Sequence, residues 1–324
     1  MLEVERLEVR YRTEAGEAKA VDGVSFAIEA GMCLGLVGES GCGKSTVAKA
    51  ILGILPPAGR IAGGAIRYAG RDLGGMSPAD LRRIRWQHIA LVPQSAMNGL
   101  DPVYTVESQL TEAITAHRRM PPAQRRRRIA ELFALVGLEP SRVRDYPHQF
   151  SGGMRQRAMI AMAMALNPEL LVADEPTTAL DVTVQAQVLR LIRRMQETLG
   201  TAVILVTHDL GVVTQVADEV LVMYGGRVME RAGRRTLLLA SHHPYTEGLL
   251  QSLPAHAGGR GRLRPIPGQP PSMLDPPPGC PFAPRCIYVM DKCQEDPPLE
   301  AVSHDPRHVS ACWLPHNHAG RKAP

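Results

Sequence analysis

The sequence has no apolar run that approaches the length needed to cross a bilayer; its best, such as "TAVILVTH", is short. The N-terminus, "MLEVERLEVRYR", alternates charge with Leu and Val and lacks the basic start and apolar core of a secretory signal, so residence in the cytosol is expected. Aromatics make up only 4% of residues, while the apolar (44%) and charged (21%) fractions are ordinary for a globular protein and exclude a disordered chain. Internal repeats and heptads are missing, which excludes a solenoid or coiled coil. Cysteine is sparse until the end, where four of the six crowd into the tail as Cys280, Cys286, Cys293 and Cys312. A cytosolic setting disfavours structural disulfides, so this cluster points to a metal, an iron–sulfur cluster or inert thiols.

At 324 residues the chain exceeds one comfortable core, and a large domain with a smaller appendage is expected. The net charge of +5 and a pI near 9.0 raise the question of nucleic acid, but much of the excess is local, in the tail and in Arg125 to Arg128. That arginine run reads as a solvated helix face, and no nucleic-acid partner is expected.

Strands are expected from Val21 to Val37, in "HIALVPQ", in "ELLVADEP" and in "TAVILVTHD". "VAKAILGIL" reads as a helix stopped by Pro56 and Pro57. Helix formers dominate from about 106 to 167, an inserted helical subdomain. Strands alternating with helices predict a largely parallel sheet with the ligand at the strand ends. The expected layout is a main domain over 1–235, its helical part at about 95–167, a Gly- and Pro-rich linker over 236–265 and a Cys-rich domain over 266–324.

"GESGCGKS", Gly38 to Ser45, fits G-x-x-x-x-G-K-[ST] with the required strand before and helix after. Its glycines let backbone N–H groups turn toward phosphate oxygens, and the helix start adds its positive end. Lys44 is expected to bind the β- and γ-phosphates and the Ser45 hydroxyl to ligate Mg²⁺. "LLVADEP" supplies a buried strand ending in Asp174 and Glu175, a pair that divides in phosphoryl transfer into a Mg²⁺-shell acid and a group that orients or deprotonates the attacking water.

These motifs carry a resemblance. "FSGGMRQR", Phe150 to Arg157, is similar to the signature segment of ABC-type ATPases and precedes "LLVADEP" in the family's order. Gln94 in "VPQ" resembles the Q loop, "TALD" ending at Asp181 the D loop, His208 in "VTHD" the switch histidine, and Tyr11 the aromatic that stacks on adenine. Phe150 and Met154 depart from the commoner Leu and Gln. The implied fold is α/β: a P-loop NTPase of ABC type with a mostly parallel core sheet, an inserted α-helical subdomain, an N-terminal antiparallel β part and a small C-terminal Cys-rich appendage. The resemblance implies ATP held by Gly38, Ser40, Gly41, Cys42, Gly43, Lys44, Ser45 and Thr46, with Mg²⁺ at Ser45, Gln94 and Asp174. Glu175 is implied as general base and His208 as sensor of the γ-phosphate. Two ATPase subunits face each other in this family, so Ser151, Gly152 and Gly153 serve the partner's nucleotide. On the remaining thiols, Cys33 reads as a packing residue and so does Cys42, for which a reactive thiol is the alternative.

"PQSAMNGLDPVYTVESQL", "HHPYTEGLLQSLP" and the cysteine tail resemble ATP-binding subunits of dipeptide and oligopeptide ABC importers, a group that extends to nickel importers. The implied partners are a paralogous second ATPase, two membrane permeases and a separate solute-binding protein, with this chain peripheral on the cytoplasmic side of the cell membrane. Transport of nickel or a sugar oligomer, a soluble ABC ATPase acting on ribosomes or DNA, and a non-catalytic regulatory subunit are the alternatives; intact Lys44, Glu175 and His208 argue against the last. The tail spacing, C-x5-C-x6-C-x18-C, is not that of a zinc ribbon. Four thiolates hold either tetrahedral zinc, with His304 or His308 as recruits, or a [4Fe–4S] cluster, and the resemblance favours the cluster.

Overall fold

The charge–apolar alternation at the start of the chain builds β1 (Leu2–Thr13), which buries Leu2, Val4, Leu7 and Val9. There follow β2 (Gly16–Ile28), β3 (Cys33–Val37), α1 (Lys44–Ile51), β4 (Gly59–Tyr68), β5 (Arg71–Asp72), α2 (Pro78–Ile84) and β6 (Ile89–Val92). Next come α3 (Val106–Thr115), α4 (Pro122–Leu135), α5 (Gly152–Ala163), β7 (Leu170–Asp174), α6 (Val182–Leu199) and β8 (Ala202–Thr207). The chain continues through α7 (Leu210–Val216), β9 (Glu219–Tyr224), β10 (Arg227–Gly233), α8 (Arg234–Ala240) and α9 (Pro244–Gln251) to two short strands, β11 (Glu300–Ala301) and β12 (Val309–Ser310). This computed structural model describes residues 1–94, 99–178, 180–253, 266–302 and 305–315. His304, part of the D-loop segment at Ala179, the start of the expected helical subdomain at 95–98 and much of the expected linker lie outside the described residues. Among the described residues no helix is long and apolar enough to cross a membrane.

The chain divides into two compact units, Met1–Ile28 with Leu34–Gly75 and Thr207–Pro324, and Glu29–Cys33 with Met76–Val206. In the first, β2-β1-β4-β5 form an antiparallel sheet. Val4 and Leu7 both face the core although their spacing is odd, because the pairing register shifts between them at Arg6, whose φ is +42°. Gly64 accepts this bulge from the facing strand: a side chain there would overlap the Glu5 and Arg6 carbonyl oxygens. The other strands of this unit run in the order β11-β12-β10-β9-β3, with β3 parallel to β9 and the rest antiparallel. Glu230 on β10 is fully buried and satisfied: its carboxylate accepts from the His242 and His243 N–H groups (2.7 and 3.0 Å) and lies 2.8 Å from His308 Nε2.

Two sequence expectations change here. α1 ends at Ile51, ahead of the prolines, because Gly53 takes a left-handed φ of 61° and donates back to Ala50. The stretch over 236–265 is not all linker: it contains α9, opened by Pro244 and capped by His243 Nδ1, which accepts from the Tyr245 N–H (3.0 Å), with Tyr245 fully buried.

In the second unit β8-β7-β6 are parallel and buried almost throughout. α5 buries Gln156 and every residue from Ala158 to Ala163, its second half being apolar on all sides while Arg155 and Arg157 keep the first half polar. α6 instead buries one face, Val188, Leu189, Ile192 and Met195, and stops at Gly200, whose φ is 67°. The arginine run on α4 is not simply a solvated face. Arg128 turns inward and donates to the Met164 and Ala165 carbonyls just past α5 (3.0 and 3.1 Å), satisfying acceptors that the ending helix leaves over.

Candidate nucleotide site and cysteine pocket

The loop from Gly38 to Ser45 joins buried β3 to α1. Two of its glycines have definite reasons. Gly43, at φ 101°, passes so close to the Ala20 carbonyl oxygen that a Cβ would overlap it, and a Cβ on Gly38 would strike the Met223 carbonyl oxygen. Lys44 is buried, and its Nζ donates to the carbonyls of Gly38 (2.7 Å) and Glu39 (2.8 Å), which places its charge inside the curve of the loop. Cys42 is buried; its thiol, 3.6 Å from Lys44 Nζ, is pushed up by burial against the pull of the ammonium, which suits the packing role. Tyr11 on β1 shares a 3.4 Å hydrogen bond with Thr46 Oγ1 and lays its ring against Gly59, so the predicted adenine aromatic stands beside the loop. His208, just beyond β8, is exposed.

In the second unit β7 ends in Asp174, buried, and the chain then turns through Glu175, also buried, with φ 49°. A left-handed backbone on a non-glycine residue costs energy and marks a place where geometry is imposed. Glu175 Oε2 accepts from Gln94 Nε2 (2.8 Å) and from Thr178 Oγ1 (2.9 Å), while the Glu175 N–H donates to the Val206 carbonyl (2.8 Å). The structure therefore joins Gln94 to Glu175, and adds Thr178, which no spacing rule in the sequence singled out.

Ser151 is the N-cap of α5, its hydroxyl accepting from the Met154 N–H (3.4 Å), and Gly152 and Gly153 open that helix. Asp181 is likewise the N-cap of α6, accepting from the Val184 N–H (2.9 Å). The same Val184 explains Gly153, where a Cβ would come within 2.6 Å of Val184 Cγ1. Gly153 at the start of α5 thus lies against Val184 at the start of α6, and Ser151 and Asp181 each already have a structural task as N-caps.

Cys280, Cys286, Cys293 and Cys312 line one pocket, together with His243 and Trp313. Little regular structure holds them. The Cys280 N–H donates to the Cys293 carbonyl (2.9 Å), and Gly279, at φ 71°, permits that approach, since a Cβ would overlap the Cys293 oxygen. Burial raises the Cys280 thiol and pushes Cys286 up to about 11 and Cys312 up to about 12, with the neighbouring cysteines adding to the push on each. Burial also brings the His243 imidazole down to about 4, keeping it neutral beside the thiols. The donor set has the softness that iron–sulfur clusters and zinc require. Among the described residues no group of three or more His, Cys, Asp or Glu side chains is placed to hold a metal ion. His308 does not line the pocket and is engaged by Glu230, so its expected recruitment to zinc is not supported.

Comparison with known proteins agrees with these motifs. Residues 21–178 match the family described as ABC transporter, and residues 229–293 match the oligopeptide/dipeptide transporter C-terminal region. The dipeptide transport ATP-binding protein DppD of Bacillus subtilis is 45% identical over 97% of this chain and 94% of its own length. The oligopeptide transport ATP-binding protein OppD of Salmonella typhimurium is 44% identical over the same shares. Among solved structures, the dimeric post-hydrolysis state of the ATP-binding cassette MJ0796 bound to ADP and Pi superposes with a TM-score of 0.65 at 28% identity, covering 72% of this chain and 99% of that one. Identity of this level along nearly the whole length, with a phosphate loop, a paired-acid strand and a capped signature helix in place, means that this chain belongs to the ABC transporter ATP-binding family, in its oligopeptide/dipeptide group.

Proposed function

We propose that this ATPase powers import of peptides, working as a peripheral subunit on the cytoplasmic side of a membrane with two permeases, a solute-binding protein and a paralogous second ATPase. The names of its relatives, dipeptide and oligopeptide transport ATP-binding proteins, support the substrate class. Residues 1–235 form the ATPase part in this reading and 266–324 the Cys-bearing part, with 236–265 joining them.

Each site residue receives a role. Lys44 and the loop residues Gly38, Ser40, Gly41, Cys42, Gly43, Ser45 and Thr46 hold the phosphates, and Tyr11 stacks on the base. Ser45, Asp174 and Gln94 are the groups that would hold Mg²⁺, which when bound neutralises charge on the terminal phosphates. Glu175 takes a proton from the attacking water, and His208 orients that water against the γ-phosphoryl group. Ser151, Gly152 and Gly153 donate to nucleotide bound by the sister subunit, and Asp181 lies at the same junction.

The observation that carries the reading is Glu175 itself: a buried carboxylate in strained backbone, aimed by Gln94 and Thr178. Glu175→Gln is expected to bind MgATP with near wild-type affinity while losing about 10²-fold or more in hydrolysis rate. Turnover persisting near the wild-type rate in a phosphate-release assay would remove Glu175 from the base role.

The four-cysteine pocket supports a [4Fe–4S] cluster held by Cys280, Cys286, Cys293 and Cys312. When bound, such a cluster supplies a covalent staple to a segment too small to build its own core. Iron and sulfide content after anaerobic purification is the measurement that decides it.

A further inference from the structure

Glu39 is the second residue of the phosphate loop, at a position the loop pattern leaves free. Its main chain belongs to the phosphate site: the carbonyl accepts from Lys44 Nζ (2.8 Å), and the N–H donates to Tyr245 Oη (2.8 Å) on α9. Its side chain therefore puts a negative charge on the loop that must receive a polyanion. That charge is felt within the loop, where it adds, behind burial, to the upward push on the Cys42 thiol. Left alone, it would repel the nucleotide phosphates.

It is not left alone. Arg285, 246 positions further along the chain and flanked by Cys286, forks onto it, with Nη1 donating to Glu39 Oε2 (2.6 Å) and Nη2 to Glu39 Oε1 (3.0 Å). The guanidinium is fully built in. Its remaining donors go to Tyr224 Oη (3.0 Å), the Pro267 carbonyl (2.7 Å) and the Ile266 carbonyl (3.3 Å), and its Cζ lies 5.6 Å from the Tyr224 ring centre. The Arg285 side chain is 6% exposed and that of Glu39 24%, so the pair works in a medium where charge is poorly screened. A planar fork meeting a carboxylate in two parallel bonds is an arrangement that a lysine cannot reproduce. Behind the fork, Tyr224, Tyr245 and Phe282 pack with ring centres 4.7 to 5.3 Å apart, which fixes both Tyr245 Oη and the turn that carries Arg285.

We propose that Arg285 is a positioning residue for the nucleotide: by neutralising and pinning Glu39 it removes a repulsive charge from the phosphate loop, so the cysteine-bearing segment sets the affinity for ATP. The proposal rests on the reading that this loop binds the ATP phosphates. It does not depend on what fills the cysteine pocket.

The test uses the full chain and calorimetric titration with MgATP at low and moderate ionic strength. Arg285→Ala is expected to weaken binding about tenfold or more, with a larger loss at low salt, because an unscreened charge has been exposed. Replacing the offending charge as well should undo the damage, so Arg285→Ala with Glu39→Gln is expected to return to within about threefold of wild type. Arg285→Lys should fall between wild type and Arg285→Ala. A merely structural Arg285 predicts no rescue; a double variant as weak as Arg285→Ala, or an Arg285→Ala affinity within twofold of wild type at low salt, would overturn the proposal. If Arg285→Ala does not fold, Arg285→Gln with Glu39→Gln, which keeps hydrogen-bonding groups and removes both charges, carries the test: affinity within about threefold of wild type supports the proposal, and a loss beyond about tenfold sinks it. Lys44→Ala separates the two readings. Loss of binding there with no effect at Arg285 refutes only the Arg285 proposal, whereas retained binding refutes the phosphate-site assignment beneath it.

Discussion

Glu175 shows how much a single position concentrates. Its left-handed backbone costs about 1–3 kcal/mol by itself, and the turn keeps it because Gln94, Thr178 and the Val206 carbonyl all hold the same residue. Asp22 is a second concentrated point, paired with Arg227 (2.9 Å) and Arg10 (3.4 Å). Burial works against its charge, but the hydrogen bond and charge of Arg227, then the charge of Arg10, outweigh it and leave the carboxyl below its ordinary value. A depressed acid stabilises the fold fully above the unfolded-state value and loses that contribution as pH falls through the folded value, where the folded state too takes up the proton. Urea unfolding followed down into the acid range should therefore show a shallower acid branch for Asp22→Asn than for wild type, with about 1 kcal/mol already missing near neutrality. Identical acid branches would mean that the two arginines do not hold that charge. The acids at the end of β7 were readable because "VADEP" ends a buried strand; Thr178 was not, because its role comes from a turn closing in space and not from any spacing along the chain.

Among the elements, those with long periodic or continuous apolar patterns were legible, and the short ones were decided by individual residues. β3, β7 and β8 follow directly from their apolar runs, whereas α1 yields to Gly53 before the prolines can act, and α9 is too short for periodicity to reveal and is declared by the burial of Tyr245. Arg128 was read with its neighbours as solvated because a run of like residues hides which of them faces the α5 end. Among its described residues the cysteine segment has only 3-10 turns at Ala283–Arg285 and Asp291–Gln294 and two two-residue strands, so its order there comes largely from side chains. Under the proposed [4Fe–4S] reading, in which the cluster staples this segment, Cys293→Ser is expected to lower the iron content of anaerobically purified protein from about four per chain to a small fraction of that. Unchanged iron and sulfide would remove Cys293 from the ligand set. Loss of the staple should also lower the thermal midpoint by several degrees, at about 2–4 °C per kcal/mol for a chain of this size.

On the scale of the whole molecule, the first unit is assembled from both ends of the chain, since its strands come from Leu2–Asp72 and from Glu219–Ser310. β12 pairs with β10 at Glu230 and Arg231, and His308, two residues before Ser310, reaches the buried Glu230 carboxylate. A chain ending after Val302 is expected to lose about 3 kcal/mol of stability, because it strands that acid with a missing partner and removes the pairing strand as well. Equal urea midpoints for the shortened and full-length chains would show that the tail is dispensable to the fold. The same anchoring makes the tail a fitted piece and not an interchangeable one: a foreign tail grafted here without a histidine at 308 would leave the Glu230 carboxylate, fully buried on β10, short of one of its three partners.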